Sequence, residues 1–197
     1  MTRREFATRM GALIPSAAIF APALAAAEGQ ELIGRLAPPL NLKDWLNSKP
    51  LEISDLRGKV VLLRWWTEGC PFCAATGPAL ISLQQAFGSR GLEVIGIFHP
   101  KPPGKWSREA VQHAIDEKRF TFPIAVDGDW TALKQWWLTK KRDFTSVSFL
   151  LDQNGVIRYV HPGGEFHDGQ QGGMPTHEAC NRDMHFIRGE IARLLSV

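Results

Sequence analysis

WWTEGCPFCAATGP, residues 65–78, places two cysteines three positions apart, at the point where a run of β-forming residues passes into a stretch with helical periodicity. The run before it, Val60–Trp66, is almost continuously apolar, which is typical of a strand buried on both faces of a sheet. After it, apolar residues recur at helical spacing until Gly88, so a helix is predicted to begin at Pro71. The cysteine pair is therefore expected where a central strand passes into a helix.

The rest of the chain alternates between predicted strands and helices. Ser107 is a suitable N-cap for the second helix, and residues 152–155 suit the turn of a hairpin. A shorter hairpin is predicted over residues 42–56. Further elements are expected at residues 92–98, 107–118, 120–126, 130–138, 147–151, 156–160 and 176–195. This order predicts an α/β fold, a three-layer α/β/α sandwich with a mixed central sheet.

The predicted domain runs from residue 28 to residue 197 as one unit, because about 170 residues fit a single domain with its own core. Within it, residues 163–197 form a Gly/His-rich loop and a C-terminal helix. No internal repeat divides the chain further.

The first 27 residues have the pattern of an export signal. Arg3, Arg4 and Arg9 precede a short apolar stretch that contains two prolines, and small residues of the A-x-A type follow it. Arg3 and Arg4 lie just before Phe6, which is typical of the twin-arginine export route. Residues 1–27 are therefore predicted to direct export, which predicts a periplasmic location and no stable membrane insertion once the signal is removed.

The charge balance argues against some classes of partner. The full chain has 23 basic and 20 acidic side chains, and residues 1–27 account for three of the arginines and one glutamate. The remaining chain is nearly neutral and contains no basic block. Nucleic acid and anionic membrane surfaces are therefore not expected as partners.

The position of the cysteine pair predicts its chemistry. Cys70 falls at the helix N-terminus, where unpaired N–H groups and the helix dipole stabilise a thiolate, the nucleophile in disulfide exchange. Cys73 lies one turn further on the same face, within reach of a mixed disulfide formed by Cys70. Cys70 and Cys73 are therefore the predicted catalytic residues, and this chemistry needs no cofactor. Cys180 stands apart from the pair, and a packed, inert side chain is the favoured interpretation.

Four motifs occur in a fixed order around the cysteine pair. They are Gly-Arg-Leu-Ala-Pro at 34–38, Gly-Lys-Val-Val-Leu at 58–62, Trp-x3-Cys-Pro-x-Cys at 66–73 and Phe-Leu-Leu-Asp-x-x-Gly-x-Ile at 149–157. In this order they resemble the exported reductases of the TlpA/ResA type in the thioredoxin superfamily, and the resemblance covers residues 34–162. It implies a thioredoxin-like fold and exchange with protein thiols and disulfides outside the cytoplasm, with a membrane electron donor as one such partner.

The chain departs from that family pattern at three positions. Gly69 replaces a tryptophan, Thr76 replaces an acidic residue, and Ser146 replaces a cis-proline that faces the cysteines in the family. A cis peptide bond without proline costs about 3 kcal/mol, so a trans bond is expected at Ser146. The resemblance places the substrate-binding backbone at Ser146 and Val147, and the three changes predict a divergent member with its own choice of partner.

A metal clip is one alternative interpretation of the pair. Two thiolates need further ligands to complete a zinc site. The candidates are His167, His177, Cys180 and His185, with Met174 and Met184 as soft ligands for cuprous copper. Nothing in the sequence brings this cluster near Cys70, so no metal ligand is assigned. A non-enzymatic copper or zinc module on the same fold is kept as an alternative.

A thiol peroxidase is the other alternative. Thr67 precedes Cys70 with the Thr-x-x-Cys spacing of peroxiredoxins. That motif also needs a proline where this chain has Leu63, and an arginine near Ser146, where the sequence has none. His99 follows a strand at the same sheet edge and is left out of the predicted catalytic residues.

Overall fold

The computed structural model describes residues 28–139, 141–169 and 177–197. The predicted export signal, residues 1–27, lies outside the described residues. The strands are β1 Trp45–Leu46, β2 Val60–Trp66, β3 Leu92–Phe98, β4 Ile124–Val126, β5 Ser148–Leu151 and β6 Ile157–His161. The helices are α1 Pro71–Phe87, α2 Arg108–Lys118, α3 Thr131–Trp136 and α4 His177–Leu194.

The six strands form one sheet in the order β1-β4-β3-β2-β5-β6. Three of the four inner strands, β4, β3 and β2, run parallel, whereas β5 pairs antiparallel with β2, β6 with β5, and β1 with β4. Parallel pairing suits the strands that are linked by helices, and the antiparallel edge comes from the predicted hairpin of β5 and β6. The mixed central sheet is therefore confirmed.

β2 lies at the centre of the sheet and is buried along its whole length. Its side chains alternate between two apolar clusters, because successive residues of a strand point to opposite faces. Leu62 and Trp66 pack with residues of α1, α2 and α4, while Leu63 and Trp65 pack with residues of α3 and the N-terminal segment. Helices thus cover both faces, and the three-layer α/β/α sandwich is confirmed.

The hairpin predicted over residues 42–56 is wrong. β1 pairs with β4 across the sheet edge, not with a second arm of its own. Asn47 adopts a left-handed backbone with φ 61°, and its amide donates to the carbonyls of Phe120 and Phe122. The chain then turns into a 3-10 helix, Ile53–Leu56, at whose start the backbone N–H of Glu52 donates to the carboxylate of Asp55 at 2.9 Å. These side-chain contacts with the backbone replace the second strand.

The paired tryptophans lie in the core, as their apolar context predicts. Trp136 is 3 % exposed and Trp137 1 %. The rings of Trp65, Trp136 and Trp137 surround Phe149 at centroid distances of 5.7, 5.2 and 6.2 Å, near the range where edge-to-face pairs are favourable. This cluster fills the layer between the sheet and α3.

The C-terminal helix α4 packs on α1 and on the sheet through one apolar stripe. Met184, Ile187 and Ile191 are fully buried on that stripe, and charged side chains occupy the rest of the helix. Within residues 28–139, 141–169 and 177–197, no helix combines the length and the apolar character that crossing a bilayer requires.

Candidate active site at the Cys70–Cys73 pair

Cys70 is the N-cap of α1, as its position after β2 predicts. Its sulfur accepts a hydrogen bond from the backbone N–H of Cys73 at 3.3 Å, and Pro71 occupies the first helical position. Both cysteines are present as thiols. The strand-to-helix junction therefore places one sulfur directly on the free N–H groups that begin the helix.

Ser146 links the two sulfurs through its hydroxyl group. Its Oγ atom lies 3.3 Å from the sulfur of Cys70 and 3.3 Å from the sulfur of Cys73. The peptide bond between Thr145 and Ser146 is trans, as expected for a residue that is not proline. A hydroxyl side chain thus occupies the place facing the cysteines.

The two thiols differ in exposure and in acidity. Burial would raise the pKa of Cys70, but hydrogen bonds from the Cys73 side chain, the Ser146 hydroxyl and the Cys73 amide outweigh it, and Arg64 adds a positive charge. The pKa of Cys70 is therefore below its ordinary value. Cys73 is only 4 % exposed, and burial raises its pKa in spite of Arg64. The half-buried Cys70 is the better nucleophile of the two.

Arg64 is a part of the site that the sequence analysis missed. It lies on β2, faces the same side of the sheet as α1, and is 1 % exposed. Burial lowers the pKa of Arg64, and the neighbouring sulfurs of Cys73 and Cys70 oppose that shift. Because a guanidinium stays charged in proteins, a permanent cation lies beneath the two thiols.

The guanidinium of Arg64 is held by few partners. It donates to the hydroxyl of Ser148 at 3.2 Å and to the carbonyl of Gly164 at 2.8 Å, while its Nε atom has no hydrogen-bond partner among the described residues. No carboxylate is hydrogen-bonded to it in this part of the chain. A thiolate at the pair is therefore a natural counter-charge. The signal in the sequence was the single charged residue within an otherwise apolar central strand.

The other two departures from the family pattern place no polar side chain at the sulfurs. Gly69 has a φ of 68°, and a Cβ atom built there would meet nothing within 4 Å. Thr76 is buried, and its hydroxyl donates to the carbonyl of Phe72 at 2.8 Å within the helix. Neither residue places a side chain on Cys70 or Cys73, so proton transfer at Cys73 falls to other groups.

A groove of about 520 Å³ opens at Cys70. Phe72 and Phe144 line it and are 50 % and 60 % exposed, which is unusual for large apolar side chains. Its charged lining residues are Glu68, Lys101 and Asp143. Exposed aromatic rings beside a reactive sulfur suit a protein or peptide surface more than a small polar molecule.

The two predicted substrate-binding residues lie in different surroundings. Ser146 lines the groove together with Thr145. Val147 has its side chain in the apolar cluster behind the sheet, and its carbonyl accepts from the amide of Trp65 at 3.0 Å. The Val147 side chain is therefore part of the core and does not line the groove.

His99 follows β3 at the same sheet edge but is fully buried. Its ring packs edge-on against Trp130 at a centroid distance of 5.3 Å. Burial, with a smaller contribution from Lys101, lowers the pKa of His99 to about 4. It is therefore a neutral core side chain and does not line the groove.

The lowered pKa of His99 should reduce the free energy of unfolding in acid. Its folded pKa of about 4 lies below the ordinary value of 6.5, so protons bind the unfolded chain more tightly. The stabilising contribution is complete above the unfolded pKa and is lost as the pH falls toward 4. Urea titrations at about pH 7.5 and about pH 5 should show a loss of about 2 kcal/mol from this residue. His99→Gln should remove that part of the slope, and His185→Gln, at an exposed position, should not. An unchanged slope in His99→Gln would contradict the assignment.

Removing the Ser146 hydroxyl should raise the pKa of Cys70. Ser146→Ala deletes a hydrogen bond to a charged sulfur, and such bonds contribute about 1.5–3 kcal/mol, so the pKa of Cys70 should rise. The pH dependence of alkylation, with the label located on Cys70 by mass spectrometry, measures this shift. Ser82→Ala, on the same helix as the cysteines but away from them, serves as the control. Identical profiles for Ser146→Ala and the unsubstituted chain would show that the hydroxyl does not act on the thiolate.

The histidines of the C-terminal region come together in a different way from the one considered for a metal clip. His167, His177 and Cys180 form a cluster with Glu165, which the sequence analysis did not name. His185 is not in that cluster, Met184 is fully buried in the apolar core, and Met174 lies outside the described residues. Cys70 and Cys73 do not belong to it either. The cysteine pair is therefore not half of this candidate metal cluster.

The fold and the geometry of the cysteine pair agree with the similarity of this chain to known proteins. Residues 33–160, more than half of the chain, match the model of the AhpC/TSA family. The chain belongs to the AhpC/TSA family. Within this family's thioredoxin-like fold, the chain is 25 % identical to a thiol-disulfide isomerase from Corynebacterium glutamicum whose crystal structure superposes with a TM-score of 0.60. That match covers 83 % of this chain and 97 % of the isomerase.

Two curated proteins are similar in sequence to part of this chain. Protein DipZ of Mycobacterium bovis is 31 % identical over 133 residues, which cover 63 % of this chain and 18 % of DipZ. The thiol-disulfide oxidoreductase ResA of Halalkalibacterium halodurans is 26 % identical over 119 residues, covering 60 % of this chain and 62 % of ResA. The predicted resemblance to ResA-type proteins is confirmed, while the chain spans less than two thirds of either relative.

Proposed function

We propose that this protein is an exported thiol-disulfide oxidoreductase that exchanges disulfides with protein partners through Cys70 and Cys73. One observation carries the proposal: two thiols at the start of a helix contact the same Ser146 hydroxyl, and their pKa values are shifted in opposite directions. Of the two, only Cys70, the thiol with the lowered pKa, lines the groove. Similarity to proteins named thiol-disulfide oxidoreductase and thiol-disulfide isomerase supports it. The reaction needs no cofactor, since the two sulfurs carry both electrons.

The cycle begins at Cys70. Its thiolate attacks one sulfur of a partner disulfide, a new bond forms between Cys70 and the partner, and the second partner sulfur leaves as a thiolate. The amide of Cys73 and the hydroxyl of Ser146 stabilise the attacking anion. A lowered pKa increases the fraction of Cys70 in the reactive form at neutral pH.

Cys73 completes the cycle. Its thiol loses a proton, which ends on a partner thiolate, and the Cys73 thiolate then attacks the sulfur of Cys70. This attack breaks the mixed disulfide and releases the partner sulfur that was bound to Cys70. The Cys70–Cys73 disulfide forms, and two electrons have passed to the partner. Arg64 lies where it stabilises the buried anion that Cys73 becomes in this step. The same steps in reverse oxidise a partner dithiol, and the relative potentials decide the direction.

The groove supports a protein as the partner. Phe72 and Phe144 offer exposed apolar contact in the groove beside Cys70, and the largely buried Ser146 also lines it. The charged lining residues favour a partner segment that has polar residues as well as apolar ones. A membrane electron donor that presents a cysteine pair fits the same groove.

The location belongs to the same proposal. Residues 1–27 have the charge, apolar and small-residue pattern of an export signal with twin arginines. We infer a periplasmic location, with residues 28–197 as the exported domain. An oxidising compartment suits a cysteine pair that cycles between dithiol and disulfide.

One assay separates this function from the two alternatives. The reduced protein is mixed with a disulfide-bonded peptide and, in parallel, with hydrogen peroxide, and the loss of peptide disulfide and of peroxide is followed. An oxidoreductase reduces the peptide stoichiometrically, and loses this ability in Cys70→Ser. Rapid peroxide consumption that persists in Cys73→Ser and is lost in Cys70→Ser would identify a peroxidase with Thr67 beside its reactive cysteine. Inertness toward both substrates would leave a non-enzymatic module and overturn the proposal.

A further inference from the structure

A second group of reactive side chains lies away from the groove, between residues 163–169 and the first turn of α4. The Nε2 atom of His167 is 3.1 Å from Nδ1 of His177 and 3.8 Å from Oε1 of Glu165. The sulfur of Cys180 lies 3.8 Å from the same Oε1 atom. One potential ligand atom from each of the four residues falls within 4.8 Å of all the others.

We propose that Glu165, His167, His177 and Cys180 form a binding site for a divalent transition metal of the zinc type. Two imidazole nitrogens, one thiolate and one carboxylate are all ligands that zinc accepts in tetrahedral sites. Bond lengths of about 2.0–2.3 Å place tetrahedral ligand atoms about 3.3–3.8 Å apart. The His167–His177, His167–Glu165 and Cys180–Glu165 separations of 3.1, 3.8 and 3.8 Å are close to this range. The carboxylate and the thiolate together balance the charge of a divalent ion.

The local chain geometry favours such a site. His177 and Cys180 are three residues apart on α4 and therefore share one face of the helix. Glu165 and His167 are two residues apart in a non-helical segment, an arrangement that directs alternate side chains the same way. Each segment thus supplies a ligand pair, which is the pattern of many structural zinc sites.

A neighbouring cavity and the imidazole nitrogens of the cluster favour metal binding. A cavity of about 500 Å³ reaches Glu165, His167 and His177 from the side of α1, and provides an entry path. Two imidazole nitrogens face each other across 3.1 Å, so one must carry a proton that a metal would replace. The Nδ1 atom of His167 is buried and has no hydrogen-bond partner among the described residues.

The metal would join the loop to α4. Gly164, directly before the first ligand, accepts a hydrogen bond from Arg64 and lines the groove at Cys70. A metal on Glu165 and His167 would therefore hold the segment that positions Arg64.

The test measures metal binding to the full chain with the redox pair removed. In the Cys70→Ser/Cys73→Ser variant, zinc is titrated in competition with a chromophoric chelator, and cobalt(II) is used as a spectroscopic probe. We expect one equivalent of each metal, with a thiolate-to-cobalt charge-transfer band and the intense visible bands of a tetrahedral site. In that background, His177→Ala and Cys180→Ser should weaken zinc binding by at least about 100-fold, more than the usual effect of removing an outer-shell partner.

His185→Ala is the matched control, since it removes an exposed histidine from the same helix outside the cluster. Glu165→Gln, which keeps the shape of the side chain, is a second variant in case an alanine substitution disturbs folding. Zinc affinity that is unchanged in His177→Ala and Glu165→Gln, or reduced equally by His185→Ala, would overturn the proposal. The same holds if the double variant binds no stoichiometric metal, or if bound cobalt shows no thiolate band.

Discussion

The Cys73→Ser variant is expected to accumulate a covalent adduct in which Cys70 is joined by a disulfide to a partner protein. Cys70 is half-buried at the groove and has a lowered pKa, so it can still attack a partner disulfide. The second attack requires the sulfur that this substitution removes, and the mixed disulfide therefore persists. Non-reducing electrophoresis of the variant after incubation with a disulfide-bonded protein detects the adduct, and reductant should release it.

Cys70→Ser should form no such adduct, and its exchange activity should fall to the uncatalysed rate. Cys73 is 4 % exposed and has a raised pKa, so it cannot replace Cys70 as the attacking sulfur. Cys180→Ser controls for the third thiol and should behave like the unsubstituted chain. An adduct that depends on Cys180, or one that forms equally in Cys70→Ser, would contradict the assigned roles.

Replacing Arg64 should shift the redox equilibrium of the pair toward the disulfide. Arg64→Met keeps much of the length and apolar volume of the side chain but removes the cation beneath the sulfurs. The reduced form then loses stabilisation of its thiolate, whereas the uncharged disulfide loses little. Above the pKa of Cys70, we expect the dithiol to become about tenfold easier to oxidise, a fall in potential of about 30 mV for a two-electron couple.

The control for Arg64→Met is Arg193→Met. It removes the same charge from the exposed end of α4, where Arg193 pairs with Glu190. The stability of each variant is measured separately by urea unfolding, because replacing a buried charge by an apolar group can change the free energy of unfolding in either direction. A potential unchanged in Arg64→Met, or shifted equally in Arg193→Met, would show that the guanidinium does not act on the thiolates.

The parts of the fold that could be predicted are those with a strong periodic pattern. Val60–Trp66 and the helix after it were identified because a doubly buried strand and an amphipathic helix leave clear apolar spacing. The hairpin predicted over residues 42–56 failed because its chain direction depends on Asn47 and Glu52 binding distant backbone groups. Such side-chain contacts leave no periodic trace in the sequence.

The candidate site shows the same division. Cys70 and Cys73 could be placed at a helix start from local sequence, and Ser146 could be placed opposite them from the family pattern. The contact of the Ser146 hydroxyl with both sulfurs depends on the packing of β2 against β5. The role of Arg64 could not be predicted, because it lies within the apolar run of β2. Its proximity to Cys73 depends on how α1 packs over the sheet. The place of Glu165 in the histidine cluster also depends on tertiary structure, so the sequence did not predict it.

The redox equilibrium of the chain with glutathione tests the central claim most directly. The protein is equilibrated across a series of glutathione mixtures, quenched with an alkylating reagent, and the labels on Cys70, Cys73 and Cys180 are counted by mass spectrometry. We predict that Cys70 and Cys73 gain and lose their labels together in a single two-electron transition, independent of Cys180. Separate transitions for the two sulfurs, or a pair that stays fully labelled or fully unlabelled across the whole series, would contradict it.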